Sequence, residues 1–532
     1  MKSYILKITA IFTAALIISS CQKGDLLSNP NVAGENSTIP ASLLLNHLTW
    51  SFYRGGGVVD KVANSVEEEP FGQVMRWNQF TTSSNSYYRG QNSYSFSNTA
   101  TAYDVLKYVN KMESQAATQF GTPNTIYGAL GKFFRAYSFI WLTQRVGDIP
   151  MSEAGNPAIL QPKFDKQHDV YQKCLQLLDE ANILMGTITT NTNAANQVDG
   201  DIYGLTYAQW QKVINTYKLR VLISLSKRAD DNADLNIKTQ FAAILNNPAK
   251  YPLMTANGDN LSFKYNATVN KYIYNPDETY NLFGNMSKTY LDITTASKDP
   301  RTFITSTPAP AQLAAGKTVA DFTAYAGSDP AATQATLTAN DAKGMYSYVN
   351  FKRYYATFTG PDPCILVGYP ELCFNIAEAI NRGWVSGSAA TWYNNGINAS
   401  ISSYGLTNGQ SYVIGNREGV TLGTVTINLT DFLTNANILY KGDNAAGLAQ
   451  ILQQKYVAFF QNSGWEAFYN WRRTGIPAFA NNGPGINPAG TIPLRWQYPV
   501  DEQNNNQANY AQAISSQYSG TDDVNKVMWL LK

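Results

Sequence analysis

The chain has 532 residues, of which 15% are charged, and its formal net charge is +2. Nucleic-acid binding relies on clustered Lys and Arg that neutralise phosphates, so a balance of 40 basic and 38 acidic residues argues against such a partner. The polar surface must come from 34 tyrosines and from uncharged Asn, Gln, Ser and Thr, which suit neutral, hydroxyl-rich ligands.

The first residues have the pattern of an export signal. Lys2 and Lys7 supply positive charge, and the apolar run 8–18 that follows is too short to span a bilayer core of roughly 30 Å. The run ends in Ile-Ser-Ser-Cys, which looks like a bacterial lipobox, so we predict a signal peptide over 1–20 and lipidation of Cys21. Acyl chains bind membranes at about 0.8 kcal/mol per buried methylene. The alternative is a secreted protein with a chance cysteine near its cleavage site.

Residues 21–37 are polar and predict a lipidated tether, after which helical spacing dominates the chain. Apolar residues recurring on one helix face predict helices over 125–146, 169–184, 210–225, 370–382 and 447–468. In the first of these, Gly147 and Pro150 mark the C-terminal boundary. Successive amphipathic helices predict a mainly α fold of stacked, tetratricopeptide-like helix pairs.

Long stretches rich in Gly, Pro, Asn and Thr separate the predicted helices, at 250–280, 305–360 and 405–437. Loops of this length in a compact protein are usually functional, or else they carry small strands of their own. Three cysteines follow Cys21. We expect Cys174, on the apolar stripe of a helix, to be a buried inert thiol, whereas Cys364 and Cys373 could form a disulfide across a short loop.

Catalytic chemistry finds little support in the sequence. His47 and His168 are the only histidines, so a zinc site of several imidazoles cannot be assembled. A pair of carboxylates is the one catalytic arrangement left, because a glycosidase needs only two of them, about 5 to 9.5 Å apart. No such pair stands out among the 38 acidic residues. We therefore predict no enzymatic activity, no catalytic residues, no cofactor and no metal.

Aromatic residues in polar loops are the feature of the sequence that indicates ligand binding. The stretch 71–96 places Trp77, Tyr87 and Tyr88 among amides and Arg89. A sugar ring is held by flat aromatic stacking on its C–H face, with amide and guanidinium donors at its rim, so these four residues are candidate ligand contacts. Near-helical spacing gives an alternative for Trp77, which would then face the core with its neighbours Phe71 and Phe80.

A second cluster lies in the loop after the third predicted helix. Tyr272, Tyr274 and Asn275 are its candidate ligand contacts, although the alternation of the two tyrosines also fits a short strand with one buried face. A third group precedes the helix at 370–382, and the sequence assigns it no role. Its members are Arg353, Tyr354, Tyr355 and Phe358.

Several motifs occur in order along the chain. They are Cys-Gln-Lys-Gly-Asp-Leu at 21–26 with Asn-Pro-Asn at 29–31, Arg-Ala-Tyr at 135–137 with a Gly-Asp-x-Pro exit at 147–150, Pro-Lys-Phe-Asp at 162–165, the segment 371–382, Trp-Arg-Arg-Thr-Gly-Ile-Pro at 471–477, Arg-Trp-Gln-Tyr-Pro at 495–499 and Gly-Thr-Asp-Asp at 520–523 with Trp529. This set resembles the SusD/RagB family of Bacteroidetes outer-membrane lipoproteins over nearly the whole chain.

The resemblance implies a single SusD-like domain over 38–532, with four tetratricopeptide-like helix pairs and a ligand-facing half built from insertions at about 250–360 and 405–437. It also implies a surface lipoprotein that forms the lid of a SusC-like TonB-dependent transporter and delivers oligosaccharides or peptides to it. Two alternatives remain open. One is a surface glycan hydrolase with a carboxylate pair, and the other is a structural lid with little ligand affinity of its own.

Overall fold

The computed structural model describes residues 38–53, 73–84, 92–93, 101–269, 271–272, 284–360, 362–460, 462, 464–487 and 490–532. Within these ranges the chain forms 19 α-helices and short strands in pairs, so the predicted mainly helical class is confirmed. Across the same ranges, no helix combines the length and apolarity needed to cross a membrane.

The helices differ widely in length, and the longest lie in the first half of the chain. They are α1 Ala41–Tyr53, α2 Gln73–Trp77, α3 Thr101–Phe120, α4 Ile126–Val146, α5 Gln167–Asn191, α6 Tyr207–Ser224, α7 Ile237–Asn246, α8 Lys288–Ala296, α9 Arg301–Thr305, α10 Pro310–Ala314, α11 Gln334–Asp341, α12 Phe351–Tyr354, α13 Tyr369–Asn381, α14 Ala389–Ser403, α15 Leu429–Leu433, α16 Ala445–Ala458, α17 Glu466–Thr474, α18 Val500–Asn505 and α19 Gln507–Tyr518.

Side-chain caps explain where several long helices begin. The Thr125 hydroxyl accepts a hydrogen bond from the backbone N–H of Gly128 at the start of α4, and Thr206 forms a capping box with Gln209 at the start of α6. Helix α4 ends at Gly147, whose φ of 97° is readily adopted only by glycine. The predictions for 125–146, 169–184, 210–225 and 370–382 are confirmed, and α5 extends further at both ends.

The prediction of one helix over 447–468 is wrong, because the structure has α16 and α17 there with a break between them. Gly464 lies in the break with a φ of 51°, a left-handed conformation that cannot continue a helix. Apolar residues on both sides, such as Phe459 and Phe468, are buried. The hydrophobic pattern therefore runs through the break as if the helix continued.

Consecutive long helices pack against each other and build the scaffold. Helix α3 packs on α4, α4 on α5, and α5 on α6; α6 then meets α13, which also contacts α14 and α16. One hydrophobic core cluster includes residues from Ala41 to Leu531. Cys174, Cys364 and Cys373 are buried free thiols, so the structure contains no Cys364–Cys373 disulfide.

The strands form four two-stranded sheets among the residues that the structure describes. Strand β1 Thr81–Ser83 pairs antiparallel with β4 Gly284–Met286, and β2 Asn92–Ser93 pairs parallel with β8 Ile486–Asn487. Strand β3 Leu261–Phe263 pairs antiparallel with β5 Cys364–Val367. The hairpin β6 Ser411–Gly415 and β7 Thr421–Thr426 occupies the predicted long loop at 405–437.

Candidate functional site

Trp77 ends helix α2 and belongs to the hydrophobic core. Its side chain is 5% exposed, and its ring centroid lies 4.9 Å from that of Trp465. The next residue fixes the segment in place, because Asn78 Nδ2 donates to the Gly464 carbonyl at 2.8 Å and its Oδ1 accepts from the Phe468 N–H at 3.0 Å. Trp77 thus packs inward, as its core-facing alternative expects.

The other residues predicted from this first aromatic group, Tyr87, Tyr88 and Arg89, lie outside the described residues, as do Tyr274 and Asn275 of the second cluster. Their contact with a ligand stays a prediction.

Tyr272 is fully buried, in agreement with the buried-face alternative for the second cluster. Its ring centroid lies 5.0 Å from that of Tyr265, and its backbone N–H donates to the carbonyl of Phe358 at 2.8 Å. Gly360, with a φ of 69°, permits this contact, because a Cβ at that position would lie 3.0 Å from the Tyr272 ring. Tyr272 therefore holds residues 271–272 against the loop that contains Phe358.

The pairing of β3 with β5 explains why these distant segments meet. Phe263 at the end of β3 lies opposite Cys364 at the start of β5. In an antiparallel pair, the residues that follow one strand adjoin those that precede the other. The second cluster and the third group are therefore neighbours in space.

Arg353 and Asp362 fix the two ends of the loop between them. They form an ion pair, and the Arg353 guanidinium carbon lies 5.0 Å from the centroid of the Tyr404 ring. Burial raises the pKa of the Asp362 carboxyl, and the Arg353 guanidinium opposes this effect. Nearby, Asn350 Nδ2 donates to the Tyr412 hydroxyl at 3.3 Å and joins the β6–β7 hairpin to this region.

Buried rings from four parts of the chain meet at Phe460. The centroid of the Phe460 ring lies 4.8 Å from that of Tyr290, 5.5 Å from that of Phe80 and 6.1 Å from that of Tyr354. Tyr456 stacks on Phe80 at 4.5 Å. These five residues form what we call the aromatic base, and they connect the first and third aromatic groups of the sequence.

The loop that follows Tyr354 of the aromatic base presents Phe358, whose side chain is 37% exposed. The Lys271 ammonium lies 5.3 Å from the centroid of its ring, and the loop residues Ala356, Thr357 and Thr359 beside it are exposed. We call these five residues the candidate face. An exposed ring beside a flexible donor is the combination that binds a sugar ring or a peptide backbone.

Sequence reasoning named Phe358 without assigning it a role and did not select Lys271 as a ligand contact. The two residues lie far apart in the chain, and their contact depends on the β3–β5 pairing. The signals that could have indicated these strands are the alternation at 261–263 and the continuous apolar run at 364–367, and both are too short to predict which strand pairs with which.

Acidic residues near this region are held in ion pairs. Asp362 is bound by Arg353, and the buried Glu371 and Glu378 are bound by Arg220 and Arg473. A glycosidase needs two carboxyl groups facing a shared substrate, which these ion-paired carboxylates do not provide. In the part of the chain that the structure describes, no group of three or more His, Cys, Asp and Glu side chains is placed to hold a metal ion.

Comparison with known families gives a match over residues 35–499, to the SusD-like family described as "Starch-binding associating with outer membrane". The chain belongs to the SusD-like family. Its members are nutrient-binding proteins associated with the outer membrane, so the resemblance noted in the sequence is confirmed. No curated protein matches this SusD-like chain significantly.

Solved structures agree with the family assignment. A SusD homologue from Bacteroides fragilis superposes with a TM-score of 0.78 at 28% identity, covering 93% of this chain and 100% of that one. A second B. fragilis SusD homologue is 31% identical, with a TM-score of 0.72 and coverage of 93% and 99%. A chitin-binding protein shares the fold with a TM-score of 0.67 at 22% identity, covering 93% and 100%.

Proposed function

We propose that this SusD-like protein is a surface-exposed outer-membrane lipoprotein that binds oligosaccharides or peptides and delivers them to a SusC-like TonB-dependent transporter, for which it is the lid. Family membership over residues 35–499 carries the proposal, because the family is described by both starch binding and the outer membrane. The exposed Phe358 ring beside Lys271 supports a binding role.

The membrane anchor in this proposal is the lipidated Cys21. It rests on the lipobox-like residues before Cys21 and on the polar tether 21–37 that follows. Replacing Cys21 by Ser should release the protein into the soluble fraction, and metabolic labelling with a fatty acid should mark the wild-type protein alone. Labelling of the Cys21→Ser variant would contradict the anchor.

The ligand site in this proposal combines sequence and structure. Tyr87, Tyr88, Arg89, Tyr274 and Asn275 are carried over from the sequence as ligand contacts. We propose Phe358 and Lys271 as further ligand contacts, because both side chains are exposed and lie next to each other. The rings of Trp77 and Tyr272 are buried, and we assign them to the protein interior rather than to ligand stacking; Tyr272 supports the site through its contact with the loop of Phe358.

Calorimetry on the soluble Cys21→Ser protein tests ligand binding. The panel contains malto-oligosaccharides, chito-oligosaccharides and short peptides, and we expect measurable affinity for at least one of them. Phe358→Ala, or Tyr87→Ala with Tyr88→Ala, should weaken that affinity about tenfold, since a lost aromatic contact costs roughly 0.5–1.5 kcal/mol or more.

Phe120→Ala is the matched control for Phe358→Ala. Phe120 ends helix α3 on the scaffold, and its side chain is also exposed. The control variant should bind like the parent protein. Equal loss of affinity in both variants would contradict the placement of the site at the candidate face.

Two further measurements separate this proposal from its alternatives. Mass spectrometry of the recovered ligand should show it unchanged, whereas shortened products would indicate the hydrolase. Solubilised native membranes should yield the protein together with a SusC-like transporter. Co-purification with no affinity for any member of the panel would favour the structural lid.

A further inference from the structure

A small cavity lined by several charged side chains lies in the helical scaffold. Its volume is about 20 Å³, and its lining comes mainly from helices α6, α16 and α17, with Leu530 and Leu531 on one side. The charged residues that line it are Arg220, Lys455, Glu466, Arg472 and Arg473.

The carboxylate of Glu466 is the unusual group in this cavity. Its side chain is 12% exposed, and its Oε1 lies 3.9 Å from Nη1 of Arg220, beyond hydrogen-bonding distance. Among the residues that the structure describes, no donor makes a hydrogen bond to this carboxylate. Its backbone carbonyl, by contrast, accepts from Asn470 Nδ2 at 2.7 Å.

Two cations at the cavity have N–H groups left over. Arg220 uses Nε and Nη2 on Glu371 and on the Leu366 carbonyl, so Nη1 has no acceptor among the described residues. Lys455 Nζ donates to Asn375 at 2.6 Å and to Asn470 at 2.9 Å, which accounts for two of its three N–H groups.

A largely buried carboxylate without a donor is unfavourable, because the hydration that it loses on folding is not replaced. A polar gap wider than 3.5 Å is the geometry that a bridging water molecule fills. One water molecule needs roughly 10–15 Å³ and two to four polar partners. The cavity of about 20 Å³ offers that space, with Glu466, Arg220 and Lys455 around it.

We infer that this cavity is a binding site for one ordered water molecule, which donates a hydrogen bond to Glu466 and accepts one each from Arg220 Nη1 and Lys455 Nζ. Such a water connects α6, α16 and α17 through their charged side chains. A halide ion would suit the cations, but it would lie against the Glu466 carboxylate, so water is the occupant that satisfies all three groups.

Crystals of the Cys21→Ser protein grown in sodium bromide test the inference, at a resolution that shows ordered water. We expect a density peak within hydrogen-bonding distance of a Glu466 carboxylate oxygen and of at least one cation, without anomalous signal at the bromine edge. An anomalous peak would identify an anion site and overturn the inference. A cavity without density would overturn it as well.

A pair of variants tests whether Glu466 holds the water. Glu466→Gln keeps a polar group at the same place and should retain the peak, whereas Glu466→Leu should lose it. An unchanged peak in Glu466→Leu would show that the water does not depend on the carboxylate and would contradict its assigned role. The bromide crystal of the Cys21→Ser protein with Glu466 unchanged decides the main question even if a variant fails to fold.

Discussion

Asp148, in the Gly-Asp-x-Pro motif, is a carboxyl group whose surroundings disfavour its charge. Its Oδ1 accepts from the Gln167 N–H at 2.8 Å at the start of α5, and its own N–H donates to Gln517 at 2.8 Å. Burial raises its pKa to about 7, although the Gln167 hydrogen bond and Lys166 oppose the increase. The motif therefore joins α4 to α5 through a group that titrates near neutral pH.

The stability of the Asp148→Asn variant should increase relative to that of the wild type as the pH rises. The pKa of the folded state is above the ordinary value of 3.8, so the wild type keeps its full stability below about pH 4 and loses part of it between pH 4 and 7. One pKa unit corresponds to about 1.4 kcal/mol, so the free energy of unfolding of the variant should gain roughly 2–4 kcal/mol on the wild type between pH 4 and pH 8.

Urea unfolding at several pH values measures this difference. Asp523→Asn, at an exposed aspartate in the last motif, is the control and should follow the wild type at every pH. Parallel pH profiles for Asp148→Asn and wild type would show that Asp148 is not the titrating group.

Glu378 is a buried carboxyl group whose pKa is lowered, in contrast to that of Asp148. It is buried and accepts hydrogen bonds from both Arg473 and Arg382. Burial alone would raise its pKa, but the two arginines outweigh this effect and lower it to about 2. A pKa below 4.5 means that the pair stabilises the fold above about pH 4.5 and that this contribution is lost as the pH falls towards 2.

Glu378→Gln should therefore lower the free energy of unfolding by about 3–5 kcal/mol at pH 7, because Arg473 keeps a buried charge without its partner. The loss should shrink as the pH approaches 2. Asp292→Asn, which breaks the exposed Lys288–Asp292 pair, should cost no more than about 1 kcal/mol. If Glu378→Gln and Asp292→Asn lowered the free energy of unfolding equally in chemical denaturation, burial would not explain the strength of the Glu378 ion pair.

At the scale of elements, the contact of α13 with α14 depends on Gly396. A Cβ at this position would lie 2.7 Å from the nearest atom of the Phe374 ring, and both residues are buried. Intrinsic helix propensity favours alanine over glycine by about 1 kcal/mol, while overpacking costs about 1–3 kcal/mol. Because the ring is enclosed by the core, we expect the steric cost to be larger.

Gly396→Ala should accordingly destabilise the protein by about 1–2 kcal/mol in urea unfolding. The exposed Asn394→Ala on the same helix tests propensity alone and should change stability by less than about 0.5 kcal/mol. A gain in stability for Gly396→Ala would show that α13 and α14 separate at little cost.

Periodicity predicted the long scaffold helices because their largest apolar residues recur at helical spacing, even where, as in α5 and α13, no side chain caps the start of the helix. It failed at the break between α16 and α17, because the residues before and after Gly464 are buried alike. The sequence also identified three aromatic groups but not their direction. Trp77 and Tyr272 point inward and Phe358 outward, and these directions depend on strand pairings that short segments do not specify.

At the scale of the whole molecule, the aromatic base links the scaffold to the candidate face. Phe460 follows the scaffold helix α16, and its ring contacts Tyr354 just before the loop of Phe358. Phe460→Ala should cost about 3–5 kcal/mol of stability, and it should also weaken ligand binding, because the support of the loop is lost.

Phe241→Ala is the control for this prediction. Phe241 is equally buried, but it lies in α7 against Trp384. It should lose similar stability in denaturation while calorimetry shows unchanged affinity for the same ligand. Equal losses of affinity in the two variants would mean that general destabilisation, rather than loop support, explains the effect.

The aromatic base also bears on how such a protein diverges. Inward rings such as Tyr354 and Phe460 fit one another, so a change at one requires a compensating change at its neighbours. Outward residues such as Lys271 and Phe358 carry no such requirement. If the candidate face binds the nutrient, as proposed, a lineage that meets a new nutrient can replace these outward residues one at a time, while the rings of the aromatic base must change in coordinated sets.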